Sequence, residues 1–153
     1  MQDTMRMSNA YVSLAVQTAI GGVIMYLVMF VMIDGLGSFF NNLNMLYMTL
    51  MMVAPMVILM IITMRDMFPS KAANATIIAV SVLAFFGSFA LIRTQTTIGD
   101  TGFLRLMIPH HSGAILMCRE ASLTDPELKA LCGEIIKSQH QEIDQMKAML
   151  ARK

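Results

Sequence analysis

"LNMLYMTLMMVAPMVILMIITM", residues 43–64, is the stretch that decides the fold, because it contains no charged residue. About 20 consecutive apolar residues are enough for an α-helix to cross the hydrocarbon core of a bilayer. Pro55 lies inside the stretch, and proline is tolerated in a membrane helix because neighbouring helices satisfy the backbone groups that it frees. The stretch therefore predicts a transmembrane helix.

Two further stretches are comparably apolar, residues 11–33 and residues 74–92. The first is too long for the apolar region of a signal peptide, and it lacks a basic start and an obvious cleavage site. We therefore expect it to be retained. The sequence predicts a membrane domain, residues 1–93, with spans at about 11–33, 43–64 and 74–92.

The short loops predict the orientation of these spans. The loop at 34–42 has no Lys or Arg, whereas the loop at 65–75 contains Arg65 and Lys71, and Arg6 precedes the first span. Positive residues in short loops stay in the cytoplasm. We expect a bacterial inner (cytoplasmic) membrane, with the N-terminus cytoplasmic and everything after residue 93 periplasmic or extracellular.

Composition agrees with a membrane protein, since 56% of the 153 residues are hydrophobic and 14% are charged. A net charge of +1 gives no indication of a nucleic-acid partner. The unusual feature is 18 methionines without a tryptophan. Methionine is usually a flexible filler of cores and lipid-facing surfaces, and its thioether is also a ligand for soft ions such as Cu(I).

The last third of the chain has the pattern of two amphipathic helices. A polar linker at 94–102 precedes a region, residues 103–153, that we expect to form an antiparallel hairpin of helices at about 103–122 and 126–151. Asp100 or Thr101 is a plausible N-cap of the first helix. Pro109 is expected to bend that helix, because its ring removes one backbone hydrogen bond.

The hairpin contains the only adjacent histidines of the chain, His110 and His111, within "MIPHHSGAILMC", residues 107–118. With the turn centred near residue 125, His110 is predicted at the level of His140. Met107 then lies one turn from the pair, and Met146 lies across the hairpin. Imidazole and thioether groups suit Cu(I) or Ag(I).

Other interpretations of these histidines stay open. The two rings differ by about 100° around a helix, so they share one ion only if the chain bends at Pro109, and otherwise serve two ions or two subunits. An exposed dipeptide without a metal is the alternative for the pair. For His140, which lies off the centre of the apolar seam, exposure is more typical than ligation.

Cys118 and Cys132 are predicted to face each other by the same register. Three states of these cysteines are possible: a disulfide in an oxidising compartment, two small buried side chains, or a thiolate pair that binds Cu(I). The absence of a C-x-x-C motif excludes a zinc ribbon.

The second membrane span carries methionines at helical spacing. Helix packing or lipid contact is the usual role of such a face, and an ion path is the alternative. The outer end, Met45 and Met48, is predicted on the same side as the histidines and is a weaker candidate for ligation. The face comprises Met45, Met48, Met52, Met56, Met60 and Met64.

Two motifs within residues 98–151 resemble the ferritin-like family called domain of unknown function 305, which recurs in bacterial copper-handling proteins. The first is D-x-x-F-x-x-x-M-I-P-H-H-x-x-A-I-x-M, from Asp100 to Met117, and the second is I-I-x-x-Q-x-x-E-I-x-x-M, from Ile135 to Met146. The resemblance implies a helical bundle in the cell envelope that binds copper or silver. Matched onto this chain, the implied ligands are Met107, His110, His111, Met117 and Met146.

This chain departs from the family pattern in two ways. Members often contain two helix pairs that form a four-helix bundle, whereas this chain has one pair, so we expect two chains to complete the bundle as a homodimer. Members also commonly have small residues at the positions of Cys118 and Cys132. An inherited role for these cysteines is therefore not implied.

The function expected from the sequence is that of an integral membrane Cu(I)- or Ag(I)-binding protein acting in copper tolerance or transfer. A subunit of an oligomeric metal transporter that uses the methionine face, or a structural adaptor without metal, is the alternative. An enzyme of the ferritin-like di-iron class is not expected, because no Glu of the hairpin is followed at the third position by His.

Overall fold

Five α-helices account for most of the fold. The structure, a computed structural model, describes residues 2–153, with side chains from residue 10 onward. No β-strand occurs within residues 2–153, and the predicted all-α class is confirmed. The helices are α1 Gln2–Val28, α2 Leu43–Thr63, α3 Lys71–Thr94, α4 Asp100–Glu120 and α5 Pro126–Leu150, with short 3-10 turns at Leu36–Ser38 and Arg65–Met67.

The first three helices are long and apolar enough to cross a bilayer, as expected of a membrane protein. The membrane-length segments are Ala10–Val28, Leu43–Thr63 and Lys71–Thr94. α1 ends before the predicted residue 33, because the chain turns there: the N–H of Val31 bonds the carbonyl of Val28 three residues earlier. α3 begins earlier than predicted, because the Ser70 side chain caps it by accepting a hydrogen bond from the Ala73 N–H.

One compact unit comprises residues 2–27 together with Asn44–Gln95. Leu14, Ile61 and Phe68 form a buried cluster in it. Beside this cluster the Tyr11 hydroxyl donates to Asn74 Oδ1 at 2.8 Å, and Asn74 Nδ2 donates to the Phe68 carbonyl at 2.7 Å. These bonds satisfy polar groups that would otherwise be costly within an apolar unit.

A second unit comprises Val28–Leu43 together with Thr96–Lys153. Residues 28–43, which the sequence placed in the membrane domain, thus pack with the hairpin of α4 and α5. The core of this unit is built from apolar side chains of both hairpin helices, with Phe40 of the α1–α2 loop packed against them. The buried members are Leu104, Ile108, Ile115, Ile143 and Met146.

Local signals at the helix ends match the expected hairpin, with small differences. Asp125 caps α5 by accepting hydrogen bonds from the N–H groups of Glu127 and Leu128. α4 begins at Asp100 with Gly99 as its N-cap residue, so neither Asp100 nor Thr101 is the cap. Asp100 lies instead in the first turn, where a carboxylate is favourable, and a hydrogen bond from Lys153 lowers its pKa.

The predicted hairpin register is met at the cysteines, and near the histidines the cross-hairpin contact is made by a residue other than His140. Cys118 and Cys132 face each other as predicted, but His111 contacts Glu142 across the hairpin, and His140 is exposed. Equal height along the helices is not sufficient for a contact, because each residue turns the helix by 100°. His140 is exposed, as expected for a position off the centre of the apolar seam, whereas its neighbour Gln139 is partly buried.

Candidate metal site

The α1–α2 loop forms a wall against α4 at two small residues. Ser112 is fully buried, with 0% exposure, and its hydroxyl accepts a hydrogen bond from the Asp34 N–H at 2.7 Å. At Gly113 an added Cβ would lie 3.3 Å from the Met32 carbonyl oxygen. Glycine therefore permits the close approach of the loop backbone to the helix.

An ion pair holds the same loop farther along α4. The Asp34 carboxylate contacts the Arg119 guanidinium, whose Nε also bonds the Glu120 carboxylate at 2.7 Å. Phe40, nearer the other end of the loop, packs against the hairpin core. The loop is thus fixed to α4 on both sides of Ser112, and it supports the part of the helix that carries the histidines.

His110 and His111 occupy different environments on this supported helix. His110 is exposed, whereas the His111 side chain is only 13% exposed. Their ring centres lie 6.0 Å apart, with the ring planes tilted by 58°. A metal–nitrogen bond of about 2.0 Å puts an ion roughly 3.2 Å from a ring centre, so two rings on one ion have centres at most about 6.4 Å apart. The observed separation satisfies this limit.

Glu142 of α5 faces His111 across the hairpin. Its Oε2 lies 3.0 Å from His111 Nδ1, and that nitrogen is buried. The two atoms are close enough for a hydrogen bond, but the geometry is not that of one. Within the part of the chain that the structure describes, Nδ1 has no hydrogen-bond partner. It is therefore an electrostatic contact.

The surroundings of His111 favour its neutral form. Burial lowers the pKa of His111, the carboxylate of Glu142 raises it, and the neighbouring His110 lowers it, with a net decrease from the ordinary value of 6.5. A neutral imidazole keeps a free lone pair on one nitrogen, which is the form that ligates metals. The chemistry of this position therefore fits a metal ligand.

Two methionines contribute to the core of the hairpin that carries the histidine pair. Met146 is 8% exposed and belongs to the buried core, and Met107 packs against the same core. Met107 precedes His110 by three residues and His111 by four, so it lies one helical turn away. Two imidazoles with nearby thioethers form a soft, neutral donor set of the kind that suits Cu(I) or Ag(I).

The structure does not bring every candidate residue to this place. Met117 is 54% exposed and lies about 10 Å along the helix from His110, two turns away, so within one chain the two do not share an ion. His140 is exposed. Met45 and Met48 belong to the other unit, where Met45 is half-buried and Met48 is exposed. Their ligation stays a prediction.

The two cysteines are joined to each other. Cys118 and Cys132 form a disulfide with their Cα atoms 5.2 Å apart. Of the three possibilities open from the sequence, the structure contains the covalent one, which ties the end of α4 to the start of α5. In this oxidised state neither sulfur is a thiolate available to a metal.

Acidic, imidazole and thiol side chains alone do not form a complete metal site. Within the part of the chain that the structure describes, no group of three or more His, Cys, Asp or Glu side chains is arranged to hold an ion. The candidate donors on this part of the hairpin are the two adjacent imidazoles, with Glu142 in contact with one of them and Met107 one helical turn away.

Two contributors to this site were not identified from the sequence. Glu142 was noted only as part of a motif, although its position one turn before Met146 is the signal that places it near His111. The loop contact of Asp34 with Ser112 and Arg119 was missed entirely. The adjacent small residues Ser112 and Gly113, on an otherwise bulky helix, are the signal for a close backbone approach.

Comparisons with known proteins find a family match that includes the helical hairpin and the end of α3. A family model described as "Domain of unknown function (DUF305)" matches residues 89–150. An uncharacterized protein of Acanthamoeba polyphaga mimivirus is 35% identical over 120 residues, which cover 76% of this chain and 76% of the viral protein. An alignment of that length extends beyond residues 89–150 into the apolar helices. No solved structure matches the chain.

Proposed function

The chain belongs to the DUF305 family, and from this premise we propose that it is an integral membrane protein that binds Cu(I), with Ag(I) as a surrogate. The observation that carries the proposal is the pair of imidazoles of His110 and His111, 6.0 Å apart on a supported helix. Met107 is the nearest thioether along the helix, and Met146 lies in the adjoining core. Copper is the cargo here, and the role is copper tolerance or transfer rather than catalysis.

The proposed location is the cell envelope, with the hairpin outside the cytoplasm. A disulfide persists in oxidising compartments, and Cys118–Cys132 supports a periplasmic or extracellular hairpin. The positive residues Arg65, between α2 and α3, and Lys71, at the start of α3, favour a cytoplasmic position for the α2–α3 loop in a bacterial inner membrane.

A homodimer is part of the proposal. The hairpin leaves large apolar side chains about half exposed, which is unfavourable for an isolated two-helix unit. A second hairpin would cover such a face and form a four-helix bundle, in which an exposed Met117 or His110 from each chain can meet. The exposed side chains are Phe103, Met117, Leu128 and Leu131. In nanodiscs we expect the mass of two chains, and a strictly monomeric protein would contradict this part.

A transporter subunit is the second candidate function. Met48 and Met52 of α2 are exposed, as is Met64 just after the helix, and such a surface can meet another subunit around an ion path. Flux of Cu(I) into vesicles, compared between the natural chain and a variant with Leu at Met48 and Met52, separates transport from binding alone.

A competition titration tests the proposed site. The full chain in nanodiscs is titrated with Cu(I) against a chromophoric chelator, for the natural protein, for the double variant His110→Ala with His111→Ala, and for His140→Ala as the matched control. We expect the double variant to lose high-affinity binding and the control to retain it. Undiminished binding by the double variant would overturn the proposal.

A further inference from the structure

We propose that Glu142 is a positioning residue, which holds the proton of His111 on Nδ1 and leaves Nε2 as the nitrogen that binds the metal. The inference rests on the proposed copper site and extends it to the opposite helix. Its basis is the 3.0 Å contact between Glu142 Oε2 and His111 Nδ1, made across the hairpin by a nitrogen that is buried.

The chemistry of the two groups sets the direction of the proton. A neutral imidazole carries one N–H and one lone pair, whereas an ionised carboxylate only accepts hydrogen bonds. With Glu142 facing Nδ1, the proton is favoured there and the lone pair on Nε2. Histidines that ligate metals almost always donate their other N–H to a carboxylate, a carbonyl or water, which fixes both the tautomer and the ring orientation.

Burial makes this assignment selective for one nitrogen. Nδ1 is enclosed by the hairpin, so an ion arriving from solvent does not reach it without displacing Glu142. The Glu142 side chain is 45% exposed, which leaves its carboxylate room for the small rotation that aligns the hydrogen bond. Glu142 therefore acts on the ion only through His111.

A metal-free measurement tests this assignment directly. The full chain is labelled with ¹⁵N-histidine in nanodiscs without metal near pH 7.5, and two-bond ¹⁵N–¹H correlations report the tautomer of His111. We expect the Nδ1–H form in the natural protein, a shift toward the Nε2–H form in Glu142→Ala, and retention of the Nδ1–H form in Glu142→Gln, whose amide oxygen still accepts. Glu134→Ala, an exposed position on the same helix, is the matched control and leaves the tautomer unchanged.

Cu(I) affinity of the same variants supplies a second readout. We expect Glu142→Ala to weaken binding about 10- to 100-fold, the range found for partners of metal ligands, with a smaller loss in Glu142→Gln and none in Glu134→Ala. A residue that merely stabilised the hairpin would lower helix content without changing the tautomer. Helix content is therefore measured for each variant. If Glu142→Ala does not fold, the tautomer of His111 in the natural protein and in Glu142→Gln tests the positioning role.

The outcomes separate this inference from the proposed function. An Nε2–H tautomer in the natural protein, or an unchanged tautomer in a folded Glu142→Ala, overturns the positioning role even if copper binds tightly. The Nδ1–H tautomer without any Cu(I) binding overturns the copper function, and the metal role of Glu142 with it, while the pairing of the two side chains stands.

Discussion

The imidazole of His111 lies between a buried helix seam and a carboxylate, and these surroundings act on its charge in opposite directions. Burial disfavours the protonated ring, and Glu142 favours it, with burial the larger effect. His110, on the neighbouring exposed position, adds a smaller decrease. At neutral pH the ring is therefore uncharged and available to a soft cation.

The lowered pKa of His111 predicts how the metal-free protein responds to acid. We expect NMR titration of the metal-free chain to show His111 protonating below pH 6.5, its ordinary pKa. In Glu142→Gln the midpoint is expected to fall further, because the charge that raises the pKa is removed. As the pH falls through 6.5, the unfolded chain binds more protons than the native chain, so stabilisation that is complete above this pH is progressively lost. A midpoint at or above 6.5 would contradict the burial argument.

Ser112 offers a second test at this scale, because its hydroxyl accepts the Asp34 N–H at 2.7 Å. Ser112→Ala leaves that N–H without its partner, and an unsatisfied buried donor costs about 1–3 kcal/mol. Hydrogen exchange of the Asp34 amide should accelerate by roughly 5- to 160-fold. Ser122→Ala, at an exposed position, is the control; equal exchange in the two variants would show that Ser112 does not hold the loop.

At the scale of elements, prediction from sequence worked best where one physical requirement dominates. An uncharged stretch such as residues 43–64 has to satisfy its backbone internally in a bilayer, so the helix Leu43–Thr63 follows from composition. Asp125 and Pro126 similarly place the start of α5. The early end of α1 at Val28 and the packing of residues 28–43 with the hairpin depend on tertiary contacts, which helical periodicity does not contain.

In the candidate site, too, the features set by local sequence were predictable and those set by tertiary contacts were not. His110, His111 and Met107 follow from local spacing, because all three lie within about one turn of α4. Glu142 depends on how α4 and α5 are rotated against each other. A register estimated from the loop paired the cysteines correctly but did not identify the contact of Glu142 with His111, because it gives height along the helix and not the direction of each side chain.

The disulfide is expected to stabilise the hairpin without shaping the metal site. Cys118 and Cys132 are separated by 14 residues, and closing a loop of about that length contributes roughly 3 kcal/mol. Cys118→Ser with Cys132→Ser should lower the thermal midpoint of the hairpin and leave Cu(I) affinity unchanged. A reductant should lower the midpoint of the natural protein only. Loss of copper binding in a folded double variant would show that the cysteines contribute to the site.

For the whole molecule, the α1–α2 loop and the hairpin belong to one unit, and we therefore expect both on the same side of a membrane. In a chain lacking its native cysteines, Leu36→Cys and His140→Cys should react with an impermeant maleimide from one face of sealed vesicles. Leu36 is 89% exposed. Asp66→Cys, in the α2–α3 loop, should react only from the opposite face if α2 crosses the bilayer. Labelling of all three positions from one face would contradict the three-span topology.

The anchoring of the α1–α2 loop on α4 also bears on how the protein is made. Residues 28–43 emerge from the ribosome long before residues 96–153, yet they pack with them. The loop therefore completes its packing only after the last two helices have been synthesised. A truncated chain beginning at residue 96 would lack one wall of its own interior, so a shortened soluble version is a poor substitute for the intact protein.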